Sequence, residues 1–317
     1  MKTILSGIKP TGRPHIGNYF GAMKQWLDLQ QEYNCFFMIA DYHALNFIQN
    51  GEEMKKLTED LIIDYLTIGL DPDKSTLFKQ SDISEHTELA WIFDTITTVP
   101  YLKRAHAYKD ALAKGGEEDV SVGTFNYPML MAADILLYSP DIVPVGQDQK
   151  QHIEFARDTA EKFNRIFGQG EVIFKLPEAY IMKEVETVPG IDGRKMSKSY
   201  NNYISLFASD EEIEEKVMSI VTDSSGERPE NVYAIHKLFR STDELDKIYE
   251  EKKGQYKILK EMLIEDLKKF IAPLREKRIQ IASDQDLIKK VLETGKEKAR
   301  KVASLKMVEV KEAIGVS

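Results

Sequence analysis

The sequence has 317 residues, of which 42% are hydrophobic and 30% are charged. That length is enough for one large core and a second, smaller domain, and no apolar run is long enough to cross a bilayer. The net charge of −9 argues against a protein that coats nucleic acid indiscriminately, although it leaves room for a local basic surface. The single cysteine, Cys35, cannot form an internal disulfide, which fits a reducing, cytoplasmic setting.

The first thirty residues predict a strand, a turn and a helix. Residues 4–5 begin an apolar run, a loop rich in Gly and Pro follows over residues 7–14, and helical spacing starts near Gly17. Unpaired backbone N–H groups at the start of such a helix favour an anion. In addition, His15 and Asn18 could each donate to a phosphate oxygen, while Gly17 leaves room for a ligand. Taken alone, these residues are equally compatible with an ordinary turn of a nucleotide-binding fold.

Strand and helix patterns alternate along the next part of the chain and predict a doubly wound parallel sheet. Strands are expected at residues 35–40, 76–79 and 142–145, and helices at about 52–68, 84–98, 127–138 and 150–167. We expect Ser84 to cap its helix and Pro100 to end it. Residues 101–124 interrupt the alternation and predict the edge of a helical insertion with a mobile loop.

The last third of the chain differs in character from the first two. Residues 173–203 are rich in Gly and Pro and are predicted to be irregular, and long charged amphipathic helices follow Ser209. We therefore place a domain boundary near 200–208. The prediction is an α/β, Rossmann-type domain over 1–204, with a helical insertion at about 84–138, and an all-helical C-terminal domain over 205–317.

A second candidate motif lies far from the first, in the segment Gly193-Arg194-Lys195-Met196-Ser197-Lys198-Ser199. Two lysines on one flexible loop could neutralise the charge that moves onto a leaving pyrophosphate. Alone, this segment is more often a solvated basic turn. In combination with residues 15–18, that explanation becomes improbable. We call residues 9–18 the signature loop and residues 193–199 the lysine loop.

The two motifs, in this order and joined by a parallel α/β domain, resemble those of the class I aminoacyl-tRNA synthetases. Residues 143–149 (Val-Pro-Val-Gly-Gln-Asp-Gln) resemble the segment of the tyrosyl/tryptophanyl subclass that binds the ribose of ATP and the amino acid. Residues 127–136 (Tyr-Pro-Met-Leu-Met-Ala-Ala-Asp-Ile-Leu) resemble the specificity helix of the bacterial tryptophanyl members. The resemblance implies an enzyme that uses ATP and Mg²⁺ to activate L-tryptophan and transfers it to tRNA(Trp).

Three alternatives stay open from the residues alone. A tyrosine-specific ligase would share the fold and the motifs. A non-catalytic, synthetase-like RNA-binding protein would not need two leaving-group lysines. A nucleotidyltransferase would share the first motif, but it would not need the long helical C-terminal domain.

The resemblance assigns roles to residues of this sequence in three groups. Catalysis is assigned to Lys195, Lys198, His15 and Asn18. The ATP site is assigned to Lys9, Pro10, Thr11, Gly17, Asn18, Gly146, Gln147, Asp148, Val188, Lys195, Met196, Ser197, Lys198 and Ser199, with Gly146, Gln147 and Asp148 at the ribose and Val188 at the adenine. The tryptophan site is assigned to Asp134 at the indole N–H, Tyr127 and Gln149 at the α-amino group, and His43, Met131, Val143 and Val145 as walls. No protein metal site is expected, because Mg²⁺ would arrive with ATP.

The chemistry of indole agrees with the role of Asp134. Indole offers one hydrogen-bond donor and no acceptor, so a buried carboxylate suits it. We expect phenylalanine to leave this carboxylate dry and unpaired, at a cost of about 1–3 kcal/mol. Tyrosine is the closest rival substrate. Met131 favours tryptophan over it, because the tyrosyl relatives usually carry a glutamine at this position.

The sequence also departs from the family pattern. Asn18 replaces the second histidine of the first motif, which removes a cationic donor, and Gln147 stands where many tryptophanyl relatives carry Glu. Some bacterial relatives hold an iron–sulfur cluster through cysteines of the C-terminal domain, and none is expected here.

The resemblance also implies macromolecular partners. The acceptor end of tRNA would approach residues 101–116. The anticodon would meet the basic C-terminal helices, whose candidate contacts are Arg275, Lys277, Arg278, Lys289, Lys290, Lys296, Lys298, Arg300 and Lys301. Interleaved glutamates mean that much of this surface could equally be a solvated ion-paired face. A homodimer is expected, with the helix around Trp91, Ile92, Phe93 and Ile96 either at the interface or in the core.

Overall fold

The computed structural model describes residues 1–145, 150–181, 188–222 and 228–316. Five strands in these ranges form one sheet in the order β3-β2-β1-β4-β5, and every pairing is parallel. The strands are Thr3–Ile8 (β1), Asn34–Ile39 (β2), Ser75–Lys79 (β3), Ile142–Val145 (β4) and Glu178–Ile181 (β5). The predicted α/β fold with a parallel sheet is confirmed.

Helices cover both faces of the sheet and make up the C-terminal third of the chain. They are Ile16–Asn18 (α1), Lys24–Glu32 (α2), Asp41–Ala44 (α3), Gly51–Ile68 (α4), Glu85–Ile96 (α5), Val99–Leu102 (α6), His106–Gly115 (α7), Val122–Phe125 (α8), Tyr127–Leu136 (α9), Lys150–Phe167 (α10), Asp210–Met218 (α11), Glu230–His236 (α12), Thr242–Glu251 (α13), Tyr256–Ser283 (α14) and Gln285–Ile314 (α15). A π-helical turn, Tyr19–Met23, joins α1 to α2. Within the described ranges, no helix combines the length and the apolar character that crossing a bilayer requires.

Strand β2 shows why a continuous apolar run becomes a central strand. Phe37 belongs to the core on one face of the sheet, and its neighbours Phe36 and Met38 belong to the core on the other face. Successive side chains of a strand point to opposite faces, so a strand covered on both sides must be apolar throughout.

The strand order creates a crevice beside β1. The chain winds outward from β1 through β2 to β3, and then returns to place β4 on the other side of β1. In open parallel sheets, ligands bind at the carboxyl ends of the strands where the winding direction reverses. The ends of β1 and β4 therefore define where a ligand site is expected.

Three local predictions are wrong. The segment predicted to be irregular contains β5, a short edge strand that lacks the apolar run of a central strand. Ser84 makes no capping hydrogen bond with its side chain, because its own backbone is already helical. The helix ends at Ile96 rather than at Pro100, and Pro100 instead lies in the first turn of α6, where proline is well tolerated.

The last helix returns to the sheet. Its residues Ala299, Ala303 and Met307 are part of the same hydrophobic core as Phe36 of β2. At Gly295 the helix lies so close to β3 that an added Cβ would stand 1.7 Å from the carbonyl oxygen of Leu77. Glycine at this position allows the backbones of helix and strand to touch.

Candidate active site

A cavity of about 500 Å³ opens in the crevice at the carboxyl ends of β1 and β4. Its lining combines the end of β1, the first turns after the signature loop and the inner face of α9. Nine of the residues singled out by the sequence analysis line it: Lys9, Gly17, Asn18, His43, Tyr127, Met131, Asp134, Val143 and Lys195. The fold thus brings candidates for the nucleotide and candidates for the amino acid to one cavity.

The signature loop is held by a reciprocal pair of hydrogen bonds between His15 and Asn18. The backbone N–H of Asn18 donates to His15 Nδ1 at 3.2 Å, and the backbone N–H of His15 donates to Asn18 Oδ1 at 3.1 Å. The N–H of Ile16 donates to the carbonyl of Ile204 at 3.1 Å. The expectation of a row of unpaired N–H groups is therefore wrong for Ile16 and Asn18, whose donors are already engaged.

His15 is a neutral donor. Burial, assisted by the charge of Lys198, lowers the pKa of His15 to about 4. Since Nδ1 accepts the hydrogen bond from Asn18, the single ring proton lies on Nε2. His15 can therefore donate one hydrogen bond to a phosphate oxygen, but it brings no positive charge at neutral pH.

The lysine loop packs directly on the signature loop. The Nζ atom of Lys198 donates to the carbonyl of Gly12 at 2.6 Å. The Cβ of Met196 would be 3.4 Å from a Cβ built on Gly17, and the buried Met196 donates its N–H to the carbonyl of Val188 at 3.0 Å. The two motifs, about 180 residues apart in sequence, form one continuous surface beside the cavity.

Lys9 places a cation at the mouth of the cavity. Its Nζ atom lies 4.4 Å from the centre of the Phe47 ring and 5.5 Å from that of Tyr127. Burial lowers the pKa of Lys9. The aromatic faces partly replace the water that the ammonium group has lost.

Asp134 lies at the floor of the cavity and is only 2% exposed. Its Oδ1 atom accepts from Gln80 Nε2 at 2.7 Å and from His86 Nδ1 at 2.7 Å. Its Oδ2 atom accepts from His43 Nε2 at 2.9 Å. Three donors of the protein already hold the carboxylate, so the expectation that phenylalanine would leave it wholly unpaired is wrong.

These donors decide the charge of Asp134. Burial alone would raise its pKa, but the hydrogen bonds that it accepts from His43 and His86 hold the pKa at about 2. The group is consequently a carboxylate, and an acceptor only, at every pH at which the protein would work. Because a carboxylate offers about four acceptor positions, the three donors leave one open, on Oδ2.

A family model described as tRNA synthetases class I (W and Y) matches residues 1–309 of the chain. The chain belongs to this family. A tryptophan–tRNA ligase of Fusobacterium nucleatum subsp. nucleatum is 47% identical to it over 324 residues, which cover 100% of this chain and 98% of the relative.

Solved structures of the family extend this similarity to three dimensions. The tryptophanyl-tRNA synthetase of Campylobacter jejuni, complexed with ADP and tryptophan, is 42% identical, covers 99% of both chains and gives a TM-score of 0.90. That of Mycoplasma pneumoniae is 29% identical, with a TM-score of 0.86 over 100% of this chain and 98% of the other. The predicted membership of the class I synthetases is confirmed.

Not every residue assigned by the family resemblance lines the cavity. Gly146, Gln147, Asp148 and Gln149 lie outside the described residues, and so does the side chain of Val145. The other described candidates belong to the two loops and to the segment before the lysine loop, namely Pro10, Thr11, His15, Val188, Met196, Ser197, Lys198 and Ser199. Ser197 is fixed there by Asn202, whose Oδ1 accepts from its N–H at 2.8 Å.

Within the cavity, His43 has two kinds of contact. Its Nε2 holds Asp134, and its ring centre lies 4.2 Å from that of Tyr127. Its Nδ1 is buried and has no hydrogen-bond partner among the described residues. Burial, together with the charge of Asp134, raises the pKa of Tyr127 to about 12, so the hydroxyl is neutral.

Three polar residues linked to Asp134 by hydrogen bonds were not among the candidates predicted from the sequence: Gln80, His86 and Tyr138. Gln80 follows directly on β3, so the rule that ligands bind at the carboxyl ends of parallel strands could have pointed to it. His86 and Tyr138 lie within apolar helical patterns, and nothing in those patterns tells which way a polar side chain points.

Proposed function

We propose that the chain is a tryptophan–tRNA ligase, which uses ATP to convert L-tryptophan to tryptophanyl-adenylate and transfers the acyl group to tRNA(Trp). The observation that carries this proposal is Asp134, a buried carboxylate with one open acceptor position at the floor of the cavity. An indole N–H supplies one donor, which matches that single position.

Recognition of the substrate follows from the cavity lining. Indole would lie against Met131 and Val143 with its N–H directed at Asp134 Oδ2. The α-ammonium group would meet the neutral Tyr127 hydroxyl, with Gln149 as its proposed second partner. Phenylalanine would displace water without filling the open acceptor position on Asp134. A hydrogen bond to a charged group is worth about 1.5–3 kcal/mol, or roughly 10- to 150-fold in preference.

The first step transfers the adenylyl group of ATP to the tryptophan carboxylate and needs no covalent intermediate on the protein. A carboxylate oxygen of tryptophan attacks the α-phosphorus of ATP, and the bond to the pyrophosphate oxygen breaks. Lys195 lines the cavity, and Lys198 and His15 lie on the adjoining loops, so two cations and one neutral donor are available for the phosphates. Asn18 keeps His15 oriented through their reciprocal hydrogen bonds.

Mg²⁺ is proposed to accompany ATP. This ion keeps several water ligands and is commonly bound through substrate phosphates, where it neutralises their charge. The cationic surface of Lys9, Lys195 and Lys198 fits a polyphosphate that carries its own metal. No group of three His, Cys, Asp or Glu side chains in the described ranges is placed to hold a metal ion.

In the second step, the 2′-hydroxyl of the terminal adenosine of the tRNA would attack the acyl carbon of the adenylate; the bond to the phosphate oxygen breaks, and AMP and a proton are released. We propose that the acceptor end approaches residues 101–116, where Lys103, Arg104 and Lys109 are basic.

The division into a catalytic domain over 1–204 and an anticodon-binding domain over 205–317 remains a proposal. The enzyme would work in the cytoplasm, with its tRNA.

Several of the C-terminal cations that were candidates for anticodon contacts already have partners within the protein. Arg278 pairs with Asp60 and Asp64, and Arg275 donates to Ala208 and Asp210. Lys298 and Arg300 donate to backbone carbonyls of the catalytic domain, those of Pro72 and Asp82. The exposed candidates that remain are Lys277, Lys289, Lys290 and Lys301, with the half-buried Lys296 beside them.

A homodimer is proposed as the working form. On α5, Phe93 is buried in the core, whereas Trp91 is 71% exposed, an unusual position for the largest apolar side chain. We expect Trp91→Glu to shift the protein from dimer to monomer in analytical ultracentrifugation. A wild-type protein that sediments as a monomer at micromolar concentration would refute the dimer.

The decisive test of the function is amino-acid-dependent exchange of pyrophosphate into ATP. We expect exchange with tryptophan and little with tyrosine or phenylalanine. Asp134→Ala should reduce the preference for tryptophan by roughly 10- to 150-fold. Exchange that depends on tyrosine would replace the substrate assignment, the absence of exchange with any amino acid would favour a non-catalytic role, and an unchanged preference in Asp134→Ala would remove the role of this residue.

A further inference from the structure

Behind Asp134, on the side away from the cavity, lies a short chain of buried polar groups. His86 is fully buried and Tyr138 is 3% exposed. His86 Nδ1 lies 2.7 Å from Asp134 Oδ1, and His86 Nε2 lies 2.9 Å from the Tyr138 hydroxyl. Neither His86 nor Tyr138 lines the cavity, whereas Asp134 and His43 do.

We propose that Tyr138 and His86 are positioning residues for the recognition of the substrate N–H: they hold Asp134 Oδ1 turned away from the cavity, so that Oδ2 is presented to the ligand. This inference rests on the proposed contact between indole and Asp134. It adds two residues that touch neither tryptophan nor ATP and that act only through the carboxylate.

The direction of each hydrogen bond follows from the charge of Asp134. An ionised carboxylate can only accept, so His86 Nδ1 must carry a proton. We infer that this is the only proton of the ring, so Nε2 is an acceptor and the group that fills it must donate. Burial and the negative charges of Asp134 and Glu85 raise the pKa of Tyr138 well above its usual value, so its hydroxyl keeps the proton to donate.

The Tyr138 hydroxyl therefore stabilises the tautomer of His86 that Asp134 requires. Without it, the ring could place its proton on Nε2 and turn the lone pair of Nδ1 toward Asp134 Oδ1. That arrangement is repulsive, and rotation of the carboxylate would relieve it at the expense of the hydrogen bond from Gln80 to Oδ1. Rotation would move Oδ2 away from His43 and from the open acceptor position at the cavity floor.

The hydroxyl of Tyr138 can be removed without removing the packing contacts of its ring. The Tyr138 ring lies against Phe36 and Phe78, with ring centres 4.9 and 5.4 Å apart. These contacts do not involve the oxygen, so Tyr138→Phe keeps them. A matched control exists in Tyr65, which is also fully buried and whose hydroxyl donates to the carbonyl of Met38 at 3.3 Å.

The experiment combines this substitution with a change in the ligand. Binding of L-tryptophan and of L-3-benzothienylalanine, in which sulfur replaces the N–H, is measured by calorimetry for the wild type, Tyr138→Phe and Tyr65→Phe. We expect the wild type to prefer tryptophan, and Tyr138→Phe to lose about five- to tenfold of that preference. Tyr65→Phe should keep the preference of the wild type.

A second variant tests whether Tyr138 acts on Asp134 through His86. In His86→Asn, the side-chain amide can donate to Asp134 from nearly the position of Nδ1 and does not depend on a tautomer. Adding Tyr138→Phe to His86→Asn should then leave the preference unchanged, although Tyr138→Phe alone reduces it. Thermal unfolding of all variants shows whether each is folded at the assay temperature.

The outcomes separate this inference from the proposed function. If the wild type does not prefer tryptophan over the sulfur analogue, the indole contact fails and this inference fails with it. If the wild type does prefer tryptophan but Tyr138→Phe weakens both ligands equally, or neither, the indole contact stands and the positioning role is wrong. A further loss of preference when Tyr138→Phe is added to His86→Asn would show that Tyr138 does not act through His86, and would also overturn the inference.

Discussion

The charge of Lys198 gives the lysine loop a pH dependence that can be calculated. Burial lowers the pKa of Lys198 to about 8, from an ordinary value of 10.5, and its Nζ atom donates to the carbonyl of Gly12 at 2.6 Å. Because the pKa is lowered, the group is a cation below pH 8 and loses its charge as the pH rises through that value. At pH 9 about one-tenth of the molecules keep the cation, so a step that needs it should slow about tenfold per pH unit.

The assay is pyrophosphate exchange between pH 6.5 and 10 at saturating tryptophan. The quantity that reports the free enzyme is kcat/KM for ATP, and we expect it to fall above pH 8. The phosphates of bound ATP favour the protonated lysine, so kcat should fall only at a higher pH. No acid limb should come from His15, whose pKa of about 4 lies below the range of the assay.

Two variants assign the alkaline limb to one residue. Lys198→Arg keeps a positive charge that cannot be lost in this range, and should move the limb beyond pH 9.5. Lys195→Arg is the matched control on the same loop and should leave the limb near pH 8. A wild-type profile that is flat to pH 9.5, or a limb that stays near pH 8 in Lys198→Arg, would refute the reasoning.

Three further substitutions test the packing and the chemistry. Gly295→Ala forces a Cβ to within 1.7 Å of the Leu77 carbonyl and should lower the free energy of unfolding by at least about 1–3 kcal/mol in urea titrations, whereas Gly51→Ala, which meets open space, should not. Arg278→Ala leaves the buried carboxylate of Asp64 unpaired and should cost about 3–5 kcal/mol at pH 8; the cost should be smaller at pH 5, because burial raises the pKa of Asp64 to about 6 and the group can then bind a proton, and equal losses at both pH values would contradict this. Lys195→Ala should slow the formation of adenylate in stopped flow far more than it weakens the binding of tryptophan, and equal effects would count against its role at the phosphates.

Most of the sheet could be predicted because central parallel strands carry a distinctive pattern. Residues 35–40 are apolar throughout, since β2 is covered on both faces. Strand β5 could not be found in this way. It is a four-residue edge strand whose sequence, Glu178-Ala-Tyr-Ile181, includes a charged residue and a Tyr that is 39% exposed. Its place in the sheet depends on pairing with β4, which is a tertiary contact.

Without the family resemblance, the candidate site could be predicted only where its residues are neighbours in the chain. The signature loop and the lysine loop each carry their chemistry within a few consecutive residues. The partners of Asp134 do not: His43 lies 91 residues away, Gln80 lies 54 and His86 lies 48. A hydrophobic pattern shows that a helix is buried, but it does not show which polar side chains of different helices meet.

The two domains proposed from the sequence are not independent, because residues beyond the proposed boundary hold the signature loop in place. His15 forms an antiparallel bridge with Ser205, and the N–H of Leu206 donates to the carbonyl of Pro14 at 3.1 Å. Backbone hydrogen bonds therefore connect the loop to the residues at the proposed boundary. Arg13 and Arg278 both lie over the ring of Phe207, at 4.9 and 5.5 Å from its centre. Since Arg278 belongs to α14, a displacement of that helix must act on the ring and on the loop that holds His15. The C-terminal helices are therefore a structural support of the proposed ATP site, in addition to any role in binding tRNA.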